Sequence, residues 1–132
     1  MSLVNTINYT IASATPATNT VIGRWQADGF RNIVVALLPA GTVNFTIKFV
    51  KSNQDTLPDF TAAATLTNLW EYAEVIDLEN GSDINGSTGV PLSATTTRSF
   101  EYNNNTAKWV GIMCTTYTTG TISGNVLLSN NQ

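Results

Sequence analysis

The sequence predicts an all-β fold: a single antiparallel β-sandwich, jelly-roll-like, of about eight strands. Three observations carry that expectation. Apolar and polar residues alternate strictly over several segments, which is the period of a strand with one buried face. Turn residues (Gly, Pro, Asn, Ser) separate most of those segments. No strand–helix–strand alternation occurs, so a parallel sheet is disfavoured. The 132 residues show no internal repeat and no linker, and they read as one domain, residues 1–132, long enough to bury a core.

The first predicted strand sets Leu3, Asn5, Ile7, Tyr9 and Ile11 against Val4, Thr6, Asn8 and Thr10. A turn containing Pro16 follows over residues 13–19. Residues 21–27 form the second strand, with Trp25 on one face and Ile22 on the other, closed by Asp28-Gly29. Residues 31–38 are apolar on both faces, so a central strand covered on both sides is expected. Pro39-Ala40-Gly41 is its turn. Residues 42–51 give the clearest pattern: Val43, Phe45, Ile47 and Phe49 point one way, Thr42, Asn44, Thr46 and Lys48 the other. A one-residue slip would expose all four large side chains, so the register is firmly set.

The rhythm breaks over residues 52–68. There Asp59-Phe60-Thr61-Ala62-Ala63-Ala64 fits either one or two helical turns or a long loop. Residues 69–78 resume a strand, and residues 79–91 form a loop rich in Gly, Asn and Ser. Residues 95–102, 107–117 and 121–129 complete the set. Within 107–117, Trp109, Gly111, Met113 and Tyr117 fall on one face, and Val110, Ile112 and Cys114 on the other. Two apolar faces on one strand predict that one meets the core and the other a neighbouring subunit.

Charged residues make up only 11% of the chain, against roughly 25% in a typical soluble domain. Such a surface is poorly protected against association, so copies of the chain or a partner are expected to cover part of it. The net charge is −3 and the six cations (Arg24, Arg31, Lys48, Lys51, Arg98, Lys108) are scattered. That excludes nucleic acid as an expected partner, because counterion release needs clustered cations; an anionic membrane surface is disfavoured for the same reason. The longest apolar run, Ile33-Val34-Val35-Ala36-Leu37-Leu38, is far too short to span a bilayer.

No enzyme activity is expected. His is absent, which excludes classical triads and His-ligated metals. The single Cys114 allows no intrachain disulfide and reads as a small buried hydrophobe. Glu71 and Glu74 fall on opposite faces of one strand and cannot converge as a carboxylate pair. The acidic stretch from Asp77 through Glu79 and Asp83 to Asn85 resembles a loose calcium loop. Its spacing departs from the twelve-residue pattern and it lacks the closing bidentate Glu, so a solvated loop is expected. No cofactor and no metal are expected. Asn-x-Ser/Thr triplets at Asn8, Asn44, Asn80, Asn85 and Asn104 are read as unmodified. The opening residues, Met1 to Thr6, show no cationic region and no apolar run, so folding in a cytoplasm is expected.

The aromatic residues admit two readings. Trp25, Trp70, Trp109, Tyr72, Tyr102 and Tyr117 could form a stacking platform for sugars, or they could fill the core and subunit contacts. The second is favoured, and Trp109, Met113, Tyr117, Trp25 and Trp70 are the interface candidates.

The closing strands, Lys108-Trp109-Val110-Gly111-Ile112 followed by Thr115-Thr116-Tyr117-Thr118-Thr119-Gly120-Thr121-Ile122, resemble those of small β-sandwich virion proteins of tailed bacteriophages. Phe45-Thr46-Ile47-Lys48-Phe49-Val50-Lys51-Ser52-Asn53 and Leu69-Trp70-Glu71-Tyr72 are similar to earlier parts of the same proteins. The motifs encode strands and turns and bring no catalytic residues. The resemblance implies a non-enzymatic virion structural protein, a head decoration or capsid-associated subunit. It would self-associate, with a trimer expected, and bind other virion proteins through sheet faces and edges. Its location would be the virion, assembled in a bacterial cytoplasm. The alternatives are a carbohydrate-binding β-sandwich module or a receptor-binding tail accessory protein. The loop over residues 79–91 is a departure from the family pattern.

Overall fold

The computed structural model describes residues 5–130; the predicted first-strand residues Leu3 and Val4 lie outside them. The described residues form an all-β structure of nine strands: β1 (Thr6–Ala14), β2 (Thr20–Gln26), β3 (Asn32–Ser52), β4 (Glu71–Tyr72), β5 (Val75–Asp77), β6 (Asp83–Ile84), β7 (Val90–Leu92), β8 (Arg98–Tyr102) and β9 (Trp109–Ser129). All pairings are antiparallel, in the order β1-β9-β3-β8-β5-β6, with β2 also on β9 and β4 and β7 also on β3.

The frame is one long ribbon. β3 and β9 are each 21 residues, and they pair from Asn32↔Ser129 to Ser52↔Trp109. Two pairs of predicted strands, 31–38 with 42–51 and 107–117 with 121–129, are therefore single strands. The expected turn at Pro39-Ala40-Gly41 and the gap between the predicted strands at residues 118–120 are bends within a continuous ladder. Register shifts mark the bend between Ala40 and Asn44, and Gly41 and Gly120 take positive φ there (81° and 111°). Glycine adopts that backbone without steric cost, so the ribbon turns a corner while keeping its pairing.

The bend folds the ribbon onto itself. Val35 pairs with Phe100, and Phe100 stacks 5.0 Å from Phe49. In a straight strand Val35 and Phe49 would lie about 45 Å apart. The first layer holds β1, the C-terminal half of β9, the N-terminal half of β3, β8, β5 and β6. The second holds β2, the N-terminal half of β9, the C-terminal half of β3, β4 and β7. Ile33, Val35 and Leu37 of one layer join Phe45, Ile47 and Phe49 of the other in a single buried cluster. Tyr102 crosses between the layers, its hydroxyl donating to the Gly111 carbonyl at 2.7 Å in a fully buried position. The arrangement is a sandwich made from one open, folded sheet.

Several face assignments differ from the sequence reading. Only one face of residues 31–38 is buried; Val34 and Ala36 are half-buried and Leu38 is exposed. Ile22 and Trp25 both pack against the main core, because an extra residue at Ile22 (Val21↔Met113, then Gly23↔Ile112) shifts the parity of β2. A second bulge at Thr115 does the same in β9: Thr46 pairs with Thr116 but Ile47 with Cys114. Tyr117 thereby turns onto the core face, 6.0 Å from Phe45, and leaves the face of Met113.

The connections are irregular where the chain changes layer. Residues 59–64 form a turn, not a helix, built on Asp59. The expected strand over residues 69–78 breaks into β4 on the second layer and β5 on the first. Ala73, buried between them, donates to the Phe49 carbonyl at 2.9 Å. The loop over residues 79–91 contains β6 and the start of β7, and it folds through two turns of one design. Asn80 and Asn85 each accept hydrogen bonds from the backbone and hydroxyl of the Ser two residues on, Ser82 and Ser87.

Candidate functional site

The outward face of the second layer is where most of the sequence-predicted contact residues meet. Val50 and Met113 point away from the main core there and form a second cluster with Phe60, joined by Val21, Trp70 and Trp109. The segment of residues 53–70 lies over this face. Phe60 is buried against Gly111, whose missing side chain leaves the room: a Cβ there would lie 2.8 Å from the ring. Trp70 stands edge-on to Phe60 at 6.0 Å and to Tyr72 at 5.3 Å, and Lys48 lies 5.3 Å from the Tyr72 ring centre.

Polar bonds pin the segment. The Trp70 indole N–H donates to the Ala62 carbonyl at 2.8 Å, and that of Trp109 to the Gln54 carbonyl at 3.1 Å. The Gln54 side chain accepts from the Leu69 backbone at 2.7 Å. Asn68 both donates to the Asp59 carbonyl and accepts from the Asp59 N–H, each at 2.8 Å. Asp59 in turn accepts from the Thr61 hydroxyl (2.5 Å) and backbone (2.9 Å), which holds its carboxyl below the usual carboxylate range. A shallow cleft of about 200 Å³ remains, lined by Asn19, Phe60, Trp70, Tyr72, Met113 and Thr115.

The five interface candidates therefore divide. Trp70, Met113 and Trp109 come together on this outward face, and the cover expected from another chain is supplied over Met113 by the chain's own residues 53–70. Trp25 and Tyr117 lie apart from them, against the main core. None of the three tryptophans is among the exposed large hydrophobic residues, and two have their indole N–H bonded within the chain. Three exposed leucines lie beside this face on the covering segment: Leu57, Leu66 and Leu69, with Leu66 92% exposed at its tip.

The outward face of the first layer has a different character, which sequence reasoning missed. Leu127 pairs with Val34 on one side and Asn8 on the other, so all three share that face with Ala36 and Leu38. Leu38 is 44% and Leu127 38% exposed. Around this apolar strip lie Thr6, Thr10, Ser99, Ser123 and Asn125, with Glu101 beside Val34. The doubly apolar run at residues 31–38 carries the signal, but apolarity on both faces of a strand reads equally as burial on both sides.

Four of the six cations, Lys48, Lys51, Arg98 and Lys108, are engaged locally. Arg98 bonds the buried Asp77 at 2.8 Å and stacks 5.3 Å from the Phe100 ring centre. Lys108 pairs with Asp55 and Lys51 with Glu71. Among the described residues no group of three or more His, Cys, Asp or Glu side chains is gathered to hold a metal ion. Asp77, the first residue of the calcium-like loop, is occupied by Arg98 and by the Glu79 backbone. Cys114 is fully buried, and burial pushes its thiol pKa up, away from the nucleophilic thiolate.

No family model matches the chain, and neither does any curated protein. Solved structures do. The SPBc2 prophage-derived protein YomS superposes with a TM-score of 0.70 at 11% identity, over 98% of this chain and 96% of that one. The fold is shared with a phage-derived protein. The PBSX exported protein XepA matches with a TM-score of 0.71 at 10% identity, over 98% of this chain but only 39% of XepA. At these identities the likeness is one of fold, and the whole of this chain corresponds to nearly the whole of YomS and to a part of XepA.

Proposed function

We propose that this chain is a non-enzymatic structural component of a bacteriophage particle, a head decoration or capsid-associated subunit that self-associates and binds the particle through sheet faces and edges. The observation that carries the reading is the end-to-end fold match to the SPBc2 prophage-derived protein. The surface supports it: the outward strip of Val34, Ala36, Leu38 and Leu127 is apolar and bordered by Thr, Ser and Asn. Such a strip suits a second protein surface better than solvent. No catalytic role is assigned to any residue, and assembly takes place in the bacterial host cytoplasm.

The experiment is a mass-spectrometric count of copies per particle, on phage induced from the organism that encodes the chain and purified by density gradient. A fixed copy number supports the reading, with a high count pointing to the head and a very low one to the tail. Abundance in the lysate with absence from the particles would overturn it.

A further inference from the structure

Among the described residues, five strands have one neighbour each: β1, β2, β4, β6 and β7. An open edge invites pairing with another chain, and proteins blunt it with charge, proline, bulges or brevity. Four of these edges are blunted. β2 carries Arg24 and the bulge at Ile22. β4 and β6 are two residues each, with Glu71 and Asp83. β7 is three residues with Pro91 at its centre. β1 is the exception: nine residues, Thr6–Ala14, with no charge and no proline.

The ladder fixes which β1 groups face the open side. The Asn130 N–H donates to the Asn5 carbonyl at 3.2 Å, so Asn5, Ile7, Tyr9 and Ile11 direct their backbone groups to β9. Thr6, Asn8 and Thr10 then direct theirs to the open edge. The Ser129 carbonyl, opposite Thr6, agrees with this alternation, since it accepts from Arg31 on the far side at 3.1 Å. On the core-facing side of β1, Ile7 and Tyr9 remain 39% and 38% exposed, while the next residue of that face, Ile11, is buried.

We propose that β1 pairs antiparallel with β1 of a second copy of this chain, about a twofold axis at Asn8. The occupant follows from self-complementarity. Centring the pair on Asn8 matches Thr6 with the partner's Thr10 and Asn8 with the partner's Asn8, joining the backbone groups that face the open edge. The same register sets Ile7 against the partner's Tyr9 at the close, non-hydrogen-bonded position, where an aromatic and a β-branched side chain pair well. Both exposed apolar residues are covered by one operation. No like charges meet, because the segment has none. The register uses residues 6–10, and over residues 6–11 the β1–β9 pairing is regular; it shifts only beyond Ile11. The contact is isologous, so it yields assemblies of even number, and combined with the expected threefold contact it would give a hexamer.

This inference deepens the self-association part of the proposed function and does not depend on the virion. Sedimentation velocity on the purified chain is expected to show a dimer or a larger even assembly. Asn8→Lys places like charges opposite each other at the axis and is expected to weaken the dimer about tenfold or more. Compared at a dilution where both chains are monomeric, its melting temperature should not change, because the Asn8 backbone does not bond β9. Disulfide trapping checks the register independently. Ile7→Cys mixed with Tyr9→Cys should cross-link on mild oxidation, while each variant alone should not; the native Cys114 is buried and does not interfere. If Asn8→Lys proves unstable, the cysteine mixture decides. A monomer at high concentration would overturn both this inference and the self-association reading. An oligomer that is odd-numbered, or that gives no cross-link between positions 7 and 9, would overturn this inference alone.

Discussion

Gly111 lies on the outward face of β9 beneath Phe60, and the ring occupies the space a side chain would take. Gly111→Ala is expected to lift Phe60 from its seat and cost about 1–3 kcal/mol, as overpacking does, read by urea denaturation with Trp fluorescence. Tyr102 presents the opposite case, a polar group sealed between layers. Its hydroxyl has the Gly111 carbonyl as partner, and burial pushes its pKa far above the ordinary phenol value. Tyr102→Phe should cost about 1 kcal/mol in the same assay, the net worth of one such bond. For Cys114, burial and the raised pKa predict very slow reaction with a thiol reagent at mildly alkaline pH in the native protein and fast reaction once it is unfolded. Rapid stoichiometric labelling of the folded chain would contradict its placement.

The segment of residues 53–70 behaves as an element without being a helix or a strand. It is anchored by one buried ring, two indole hydrogen bonds and the Asp59 turn. Phe60→Ala should cost about 3–5 kcal/mol if the segment unfolds with the whole, as for a buried aromatic, and less if it detaches first. Hydrogen exchange at Ala62 and Leu69 distinguishes the two. Asp59 adds a pH dependence. Its folded pKa lies below the unfolded value, so its stabilisation is present above the ordinary carboxylate range and is lost as pH falls through the folded pKa. Acidification below about pH 4 should therefore loosen the segment and red-shift Trp70 fluorescence. Asp59→Asn keeps an acceptor oxygen and should reduce that pH dependence, leaving the part that Asp55 contributes through Lys108. The two long strands teach a different lesson at this scale. Pro39-Ala40-Gly41 has the composition of a turn, yet the chain continues through it, because the β3–β9 ladder persists on both sides of the bend. Composition reports that a backbone can bend; it does not report whether pairing survives the bend.

At the scale of the whole molecule, the pairing that closes the ribbon is remote in sequence, Asn32 with Ser129 and Ser52 with Trp109. Loop closure must precede most of the stabilising contacts, so refolding is expected on the millisecond-to-second scale, without a microsecond phase carrying most of the amplitude, as stopped-flow fluorescence would show. The sequence by itself determined the strand period, and with it the all-β antiparallel class. It also determined the register of Val43, Phe45, Ile47 and Phe49, since only one alignment buries all four. The lack of His and the lone Cys114 set the limits on chemistry at any site. Three things were decided only by the tertiary structure. The bulges at Ile22 and Thr115 moved Trp25 and Tyr117 to the core face, because one inserted residue reverses every later parity. The Met113 face was covered from within the chain, because Gly111 made room for a ring fifty residues away in sequence. Among the described residues the β1 edge has no second neighbour and lacks the devices that blunt the other edges, and an edge exists only once the sheet is assembled. Side-chain alternation is local and therefore legible in the sequence. Which face or edge meets solvent depends on what the rest of the chain stacks against it.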